Sequence, residues 1–381
     1  MWSAIANQGH FLSADDGNFD SLLSEQLDEF RLQGQSFNDG WSLMHYDSSA
    51  TSNPISIVRS AVSTEINGAV YDSVVVSILD PESNTRVALG HLRAGTSGAI
   101  EIPNPHPFVY YADNCYSFIH NGTLSKDVLL GLLTDNGADS SWIINHPPSS
   151  YGNGDWGNAG WGAVVDSELY FLWIVKNIQE LNFDVYGGIA QALTALNTLI
   201  PDADEKTMIF SDGSKLYLYG GSAKLFFTDG VTPLENPYAD VPVHFKAVMT
   251  VPPESGIASY LPWEPLPENE IVVLSAEGVS THALSTITSD PFLPTHVSLL
   301  PNYPNPFNSS TLVQFDLTAH TEIRLSVVDI SGRKITVLRE GFESAGLHSI
   351  RWNSAGAASG VYTILLETKD GVYSRKMVLI K

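Results

Sequence analysis

Cysteine and basic residues are scarce in this chain of 381 residues. The single cysteine, Cys115, excludes an internal disulfide, so the cysteine pattern gives no indication of the redox environment. Lys and Arg number 19 against 42 Asp and Glu, which gives a formal net charge of −23 at pH 7. This balance argues against nucleic acid or an anionic membrane surface as partner, because both require clustered basic residues.

Long apolar runs are also missing. No stretch approaches the roughly 18 apolar residues of a membrane span, and no charged-then-apolar signal peptide opens the sequence. Residues 15–20 carry carboxylate and amide oxygens, but without the spacing of a calcium-binding EF-hand loop, so we predict no metal and no cofactor. The 43% hydrophobic content is sufficient for the cores of two or three globular domains.

The chain has two unlike parts. Residues 1–280 mix helical and strand patterns, whereas residues 297–381 show short alternating strands separated by turns. The segment 281–296 has the Ser, Thr and Pro bias of a linker. We therefore predict a first domain over 1–280, a linker over 281–296 and a second domain over 297–381.

The pattern of the first part predicts an α+β domain. Apolar residues at helical spacing predict helices at 19–32, 125–133, 168–181 and 185–200. Runs rich in strand-forming residues predict strands at 2–6, 74–79, 86–92, 115–120, 206–210, 215–219, 224–227, 243–249 and 270–274. Ser125 is the predicted cap of the second helix, and Asp166 or Ser167 that of the third. Helices mixed with antiparallel strands favour sheets sandwiched between helical layers.

Three segments of the first part carry most of the chemical information: residues 90–98 (GHLRAGTSG), 104–108 (NPHPF) and 118–124 (FIHNGTL). In this order they resemble the glutamine-binding wall and oxyanion loop of class II glutamine amidotransferases. These enzymes are hydrolases with an N-terminal nucleophile and a four-layer αββα fold. Residues 38–41 and 247–274 resemble further segments of the stand-alone members. The resemblance covers about 280 residues.

The resemblance assigns a role to each matched residue. Arg93 would bind the α-carboxylate of a glutamine or γ-glutamyl substrate, with Thr96 hydrogen-bonding nearby. Asp166 would take the α-ammonium, and the side chain of Asn121 with the backbone N–H of Gly122 would form the oxyanion hole. Such a pocket needs a fixed cation, a fixed anion and donors that polarise the amide.

Each residue also has a purely structural interpretation. Arg93 suits a surface strand, Asp166 a helix cap, and Asn-Gly at 121–122 is a common hairpin turn. Their joint occurrence in the family's order favours the functional interpretation. For His106 and His120 we predict structural packing or turn hydrogen bonds.

The family's nucleophile is missing from the sequence. In the family, the α-amine of a terminal Cys acts as base for its own thiol. Aligning residues 2–6 with the family's first strand places that Cys two positions before Met1. We expect it in N-terminal sequence that precedes Met1, where removal of a signal peptide would expose it. Cys115 is a poor replacement, because a mid-chain strand position favours a small buried hydrophobe.

The second part has its own resemblance. Residues 300–311, 327–333, 346–348, 359–362 and 376–381 closely resemble the type A C-terminal sorting domain of the type IX secretion system. The alternating strands predict a small Ig-like β-sandwich, with a hairpin turn at residues 329–333. The resemblance implies a secreted or cell-surface protein that binds the type IX machinery through 297–381. An ordinary Ig-like adhesion module is the alternative.

Three functional hypotheses follow. The favoured one is a secreted amidohydrolase that cleaves glutamine or a γ-glutamyl amide through a cysteine thioester. The second is a catalytically inactive γ-glutamyl-binding module, and the third is a cell-surface interaction protein that uses the fold as a scaffold.

Overall fold

The computed structural model describes residues 1–12, 19–37, 39–47, 54–93, 106–111, 115–149, 156–158, 160–181, 183–221, 224–230, 243–284, 297–299, 302, 305–317, 320–343, 346–354, 356–369 and 371–380. The chain divides into two compact units. The first unit contains Met1–Leu181 and Val185–Ser289, and the second contains Asn182–Asp184 and Asp290–Lys381.

The first unit contains six α-helices among its described residues: α1 (Phe19–Gln33), α2 (Gly68–Leu79), α3 (Lys126–Leu133), α4 (Ser141–Asn145), α5 (Asp166–Glu180) and α6 (Val185–Leu199). Its strands are β1 (Trp2–Ala6), β2 (Trp41–Asp47), β3 (Ile55–Ser60), β4 (Thr85–Leu92), β5 (Phe108–Tyr111), β6 (Cys115–Asn121), β7 (Thr207–Ser211), β8 (Lys215–Tyr219), β9 (Phe226–Thr228), β10 (Phe245–Met249), β11 (Glu264–Pro265), β12 (Glu270–Ser275) and β13 (Val279–Ala283). Strand β13 extends three residues into the segment predicted as linker.

Two antiparallel sheets organise these strands. The first sheet has the order β11-β9-β10-β1-β4-β2-β3, and the second has the order β13-β12-β8-β7-β6-β5. Strand β1 lies between β10 and β4, with Trp2 opposite both Met249 and Gly90. The start of β1 is therefore flanked by the ends of two neighbouring strands.

Apolar side chains fill three interfaces between the layers. Leu27 and Phe30 of α1 pack with Trp2 on one face of the first sheet. The opposite face of that sheet, represented by Leu89, packs against Ile209 and other residues of the second sheet. The outer face of the second sheet contacts α5, where the rings of Phe118 and Phe171 stack at 5.3 Å. The layer order is therefore helix, sheet, sheet, helix.

The predicted strand at 74–79 is wrong, because these residues end helix α2. The buried side of the helix carries Tyr71, Val74 and Ile78 at helical spacing, but Val76 on the exposed side is also apolar. The outward-facing valine hides the helical period, and the β-branched run then favours a strand on propensity alone. Tertiary packing against the first sheet overrides that propensity.

The predicted cap of α5 is also wrong. The residue at the cap position is Val165, which makes no side-chain cap hydrogen bond. The Asp166 carboxylate instead accepts a hydrogen bond from the backbone of Leu124. The predicted cap of α3 is confirmed, since the Ser125 hydroxyl accepts from the N–H of Val128.

The second unit has strands β14 (Ser298–Leu299), β15 (Ser310–Leu317), β16 (Thr321–Asp329), β17 (Lys334–Glu343), β18 (Gly346–Asn353), β19 (Gly360–Thr368) and β20 (Gly371–Leu379). They form a three-stranded sheet, β14-β15-β18, and a four-stranded sheet, β17-β16-β19-β20. Buried residues of both sheets, including Phe315 and Trp352 from one and Leu325 and Ile364 from the other, form one core. The strands thus make a small sandwich.

The predicted hairpin turn of the second unit is confirmed between β16 and β17. Asp329 accepts hydrogen bonds from the backbone N–H groups of Ser331 and Arg333, and Gly332 has a left-handed φ of 79°. The Ser331 hydroxyl, followed by these backbone donors, lowers the pKa of Asp329 to about 2. The carboxylate therefore stays ionised and holds the turn at ordinary pH.

No helix in the described residues combines the length and apolarity needed to cross a membrane.

Candidate functional site

A pocket of about 420 Å³ opens in the first unit where β1 begins, β4 and β6 end, and α5 begins. The described residues predicted for the site, Arg93, Asn121, Gly122 and Asp166, all line it, together with Met1. Thr96 lies outside the described residues. Segments that are distant in sequence therefore bring a cation, an anion and an amide-type donor pair to one cavity.

Arg93 provides the cation of the pocket. It directly follows β4, and its backbone N–H bonds to the carbonyl of Gly40 at 2.9 Å, which fixes the chain at this point. The residue is only 5% exposed. Burial lowers the pKa of Arg93 and the nearby Asp39 carboxylate opposes this shift, so the guanidinium stays charged.

Asn121 and Gly122 lie at the end of β6. Asn121 pairs with Thr207 of β7 and is exposed at the pocket. A Cβ atom on Gly122 would lie 2.6 Å from the carbonyl carbon of Glu205 and closer still to its oxygen. Any side chain at position 122 would collide with the backbone of Glu205. Glycine is therefore required for this close approach.

Asp166 provides the anion. It is 3% exposed and lies in the first turn of α5, where the helix dipole stabilises negative charge. Its Oδ2 atom accepts a hydrogen bond of 2.8 Å from the N–H of Leu124, three residues after Asn121. The carboxylate therefore holds the end of the loop that carries Asn121 and Gly122.

Glu205 and Lys224 line the pocket but were not among the sequence-predicted residues. The Glu205 carboxylate accepts from the N–H of Thr123 at 2.6 Å, while its carbonyl accepts from Nε2 of His120 at 2.8 Å. Two carboxylates, Asp166 and Glu205, thus hold consecutive backbone N–H groups of one loop. No motif marks Glu205, and half of its role depends on a main-chain atom, so the sequence offers no signal for it.

Three histidines, His91, His106 and His120, also line the pocket. The structural role predicted for His120 is confirmed. Because the Glu205 carbonyl can only accept, Nε2 of His120 carries the proton and Nδ1 accepts from the Ser167 hydroxyl at 2.9 Å. Of the two roles predicted for His106, packing is confirmed: the buried ring contacts the rings of His91 and Phe108, while neither ring nitrogen has a hydrogen-bond partner in the described structure. Burial lowers the pKa of all three histidines, well below the usual range for His91 and His106.

Because burial lowers the pKa of these three histidines, we expect the protein to lose stability as the pH falls below about 6.5. Unfolded histidine has a pKa of about 6.5, so below that pH the unfolded chain binds protons that the buried rings do not. The unfolded state then binds more protons, and each histidine lowers the free energy of unfolding by at most about 1.4 kcal/mol per pH unit. Urea denaturation at pH 7.5, 6.5 and 5.5 measures the slope, and His106→Gln should reduce it. Equal stability at the three pH values would contradict the prediction.

Cys115 does not line the pocket. It is half-buried at the start of β6, the end opposite Asn121, and packs against the core between the two sheets. Burial raises the pKa of its thiol, which disfavours the reactive thiolate. This placement agrees with the predicted role as a small hydrophobe. Among the described residues, no group of three or more His, Cys, Asp or Glu side chains is arranged to hold a metal ion.

Comparison with known families identifies the second unit. Residues 302–381 match the family described as secretion system C-terminal sorting domain. The sorting domain resemblance is therefore confirmed, and the protein carries a type IX secretion signal at its C-terminal side. It is a secreted or cell-surface protein whose sorting domain interacts with the secretion machinery.

Other comparisons add little. A comparison with curated proteins gave no match. Among solved structures, the chain is similar to PorZ, a surface component of the type IX secretion system of Porphyromonas gingivalis (18% identity, 30% of this chain and 15% of PorZ, TM-score 0.18). It is also similar to a β-glucuronidase of Parabacteroides merdae (13% identity, 45% of this chain and 22% of that one, TM-score 0.19). The matches span small shares of both relatives, and such TM-scores support no inference about fold or activity.

Proposed function

We propose that the first unit is an N-terminal-nucleophile-type hydrolase domain that binds glutamine or a γ-glutamyl amide and hydrolyses its side-chain amide. The observation that carries the proposal is the joint lining of one pocket by Arg93, Asn121, Gly122 and Asp166. A guanidinium and a carboxylate complement the two charges of an amino acid, and low solvent exposure strengthens both interactions. The helix, sheet, sheet, helix order is compatible with the αββα class.

The strand register supports the position of the nucleophile. Trp2 lies opposite Gly90 of β4, so in the antiparallel register Met1 corresponds to His91 and a residue two positions before Met1 corresponds to Arg93. The resemblance places the catalytic cysteine at that position. A thiol there would lie beside the residue proposed to bind the α-carboxylate.

In the proposed reaction, the thiolate of that cysteine attacks the amide carbon and forms a tetrahedral intermediate. Its oxyanion receives hydrogen bonds from the side-chain N–H of Asn121 and the backbone N–H of Gly122. The C–N bond then breaks, the amine leaves with the proton that the terminal α-amine took from the thiol, and a thioester remains. Water hydrolyses the thioester to glutamate and restores the thiol.

The experiment compares three forms of the full chain: the sequence beginning at Met1, the same chain extended by Cys-Ala, and one extended by Ala-Ala. We expect glutamate release from L-glutamine or a γ-glutamyl anilide only with the Cys-Ala form. In that form Arg93→Ala should mainly raise KM, because it removes ground-state binding, whereas Arg31→Ala outside the pocket should change little. Equal activity of the Ala-Ala form would contradict the mechanism.

A γ-glutamyl-binding module without catalysis is the second candidate, because the described lining of the pocket offers the charges of Arg93 and Asp166 but includes no cysteine. It predicts that L-glutamine binds the chain beginning at Met1 while the Cys-Ala form releases no glutamate. Absence of binding to every form would reject both candidates.

A further inference from the structure

Lys224 is a second cation of the pocket, and the reaction described above does not use it. The residue is half-buried, lines the pocket and lies just before β9. Its Nζ donates a hydrogen bond of 3.2 Å to the carbonyl of Asp204, and no carboxylate in the described part of the chain forms an ion pair with it. Its charge acts on the pocket, since Lys224 adds to the burial that lowers the pKa of His120, another lining residue. An ammonium group can donate several hydrogen bonds, so Nζ can bind a further acceptor.

The strand order of the first sheet places Arg93 and Lys224 on opposite sides of β1. Arg93 directly follows β4, which pairs with β1 on one side, whereas Lys224 precedes β9, which is separated from β1 by β10 on the other side. These pairings are antiparallel, so the end of β4 and the start of β9 share the edge of the sheet at which β1 begins. Neighbouring strands lie about 4.8 Å apart, which puts β4 and β9 about 14 Å from each other. The two cations therefore flank the position assigned to the nucleophile.

The second sheet gives the same arrangement. Strand β6, whose end carries the proposed oxyanion donors, lies between β5 and β7. His106 lies shortly before β5, and its ring is 4.3 Å from that of His91 near the end of β4. Glu205 lies shortly before β7, and Nζ of Lys224 bonds to the carbonyl of the residue that precedes Glu205. The oxyanion donors therefore lie between the side of Arg93 and the side of Lys224.

This arrangement determines where each half of a γ-glutamyl amide would lie. With its α-carboxylate on Arg93 and its carbonyl oxygen at the oxyanion donors, the glutamyl half occupies the side of β4. The amide nitrogen points away from the glutamyl chain, so its substituent extends toward Lys224. In an extended γ-glutamyl amino acid the two carboxylates are roughly 9 Å apart, a span that long side chains can reach from strands about 14 Å apart. The ammonia released from glutamine carries no group that could use Lys224.

We propose that Lys224 binds a carboxylate on the amine half of the substrate, so that the pocket prefers γ-glutamyl amino acids to uncharged γ-glutamyl amides. This inference rests on the proposed function and specifies its leaving-group side. A carboxylate forms a charge-assisted hydrogen bond with an ammonium group, which is stronger than a bond to a neutral acceptor. Hydrolysis would release glutamate and a free amino acid.

The test measures kcat/KM of the Cys-Ala form with γ-L-glutamylglycine and γ-L-glutamylglycinamide, which differ only in the carboxylate of the leaving half. The variants are Lys224→Met, which keeps a long unbranched side chain but removes the charge, and Lys224→Arg, which keeps the charge. We expect the unmutated Cys-Ala form to prefer the dipeptide about tenfold to hundredfold, the range of a hydrogen bond to a charged group. Lys224→Met should remove most of this preference and Lys224→Arg should retain most of it. Lys176→Met, which removes a lysine outside the pocket, is the matched control and should keep the full preference.

The ratio of the two kcat/KM values separates recognition from folding, since a purely structural role of Lys224 would lower both values together. An undiminished preference in Lys224→Met, or no preference for the dipeptide in the unmutated form, would overturn the role of Lys224. Hydrolysis of L-glutamine without hydrolysis of either glycine compound would overturn it as well, while the proposed function stands. Failure of the Cys-Ala form to hydrolyse any of the three compounds would reject the proposed function itself.

Discussion

Replacing Gly122 with alanine is expected to destabilise the first unit and to remove most of the turnover proposed for the Cys-Ala form. The new Cβ would lie 2.6 Å from the carbonyl carbon and 2.8 Å from the Cα of Glu205. Both are backbone atoms, which cannot rotate away as the end of a side chain can. Either the loop after β6 or the segment around Glu205 must move, and overpacking of this kind costs about 1–3 kcal/mol.

The same displacement would misdirect the donors proposed for the oxyanion. Loss of one oxyanion donor typically lowers kcat about a hundredfold to thousandfold, so kcat of the Cys-Ala form should fall by at least that factor. Urea denaturation measures the stability change, and glutamate release measures kcat. Gly162→Ala is the matched control, because a Cβ there meets no atom within 4 Å. Wild-type kcat in Gly122→Ala would exclude Gly122 from the oxyanion hole.

The sequence predicts some helices and strands of this protein better than others. Strands β1, β4 and β6 follow from runs of strand-forming residues, because both faces of these strands are buried. Helices α1, α3 and α6 follow instead from apolar periodicity. Helix α2 does not, since Val76 on its exposed side is also apolar. The sequence pattern also predicts the sandwich of the second unit, where polar and apolar residues alternate along β16.

The pocket shows a similar division. Arg93, Asn121 and Gly122 lie in the segments that carry the family resemblance, and the same resemblance selects Asp166 at the start of a helical pattern. Glu205 comes from a segment without a motif. The contacts of its main-chain carbonyl do not depend on which side chain residue 205 carries. The sequence allows the packing of His106 to be predicted, but its missing hydrogen bonds become visible only in three dimensions. A single sequence therefore predicts neither hydrogen bonds made by main-chain atoms nor side-chain atoms that lack a hydrogen-bond partner.

Asp166 is expected to show two separable effects, because its carboxylate faces the pocket and also accepts the N–H of Leu124. Asp166→Asn keeps a carbonyl oxygen for Leu124 but removes the charge proposed to bind the α-ammonium. Asp166→Ala removes both. The first variant should therefore lose affinity for L-glutamine while keeping nearly normal stability, and the second should lose both.

The magnitudes follow from the chemistry of each contact. A hydrogen bond involving a charged group is worth about 1.5–3 kcal/mol, so both variants should bind L-glutamine at least about tenfold more weakly. Asp166→Ala should also lower the free energy of unfolding by about 1–3 kcal/mol, because a buried N–H is left without an acceptor. Its kcat in the Cys-Ala form should fall further than that of Asp166→Asn, since the loop that carries Asn121 is no longer held.

Calorimetry, urea denaturation and glutamate release measure these three quantities separately. Asp139→Ala is a suitable control, because Asp139 is an exposed carboxylate that likewise accepts a backbone N–H, that of Ser141 at 2.8 Å, but lies outside the pocket. Wild-type affinity for L-glutamine in Asp166→Asn would show that the carboxylate only supports the loop, and the α-ammonium would then need another partner. Equal kcat in the two Asp166 variants would instead show that the bond to Leu124 does not position the oxyanion donors.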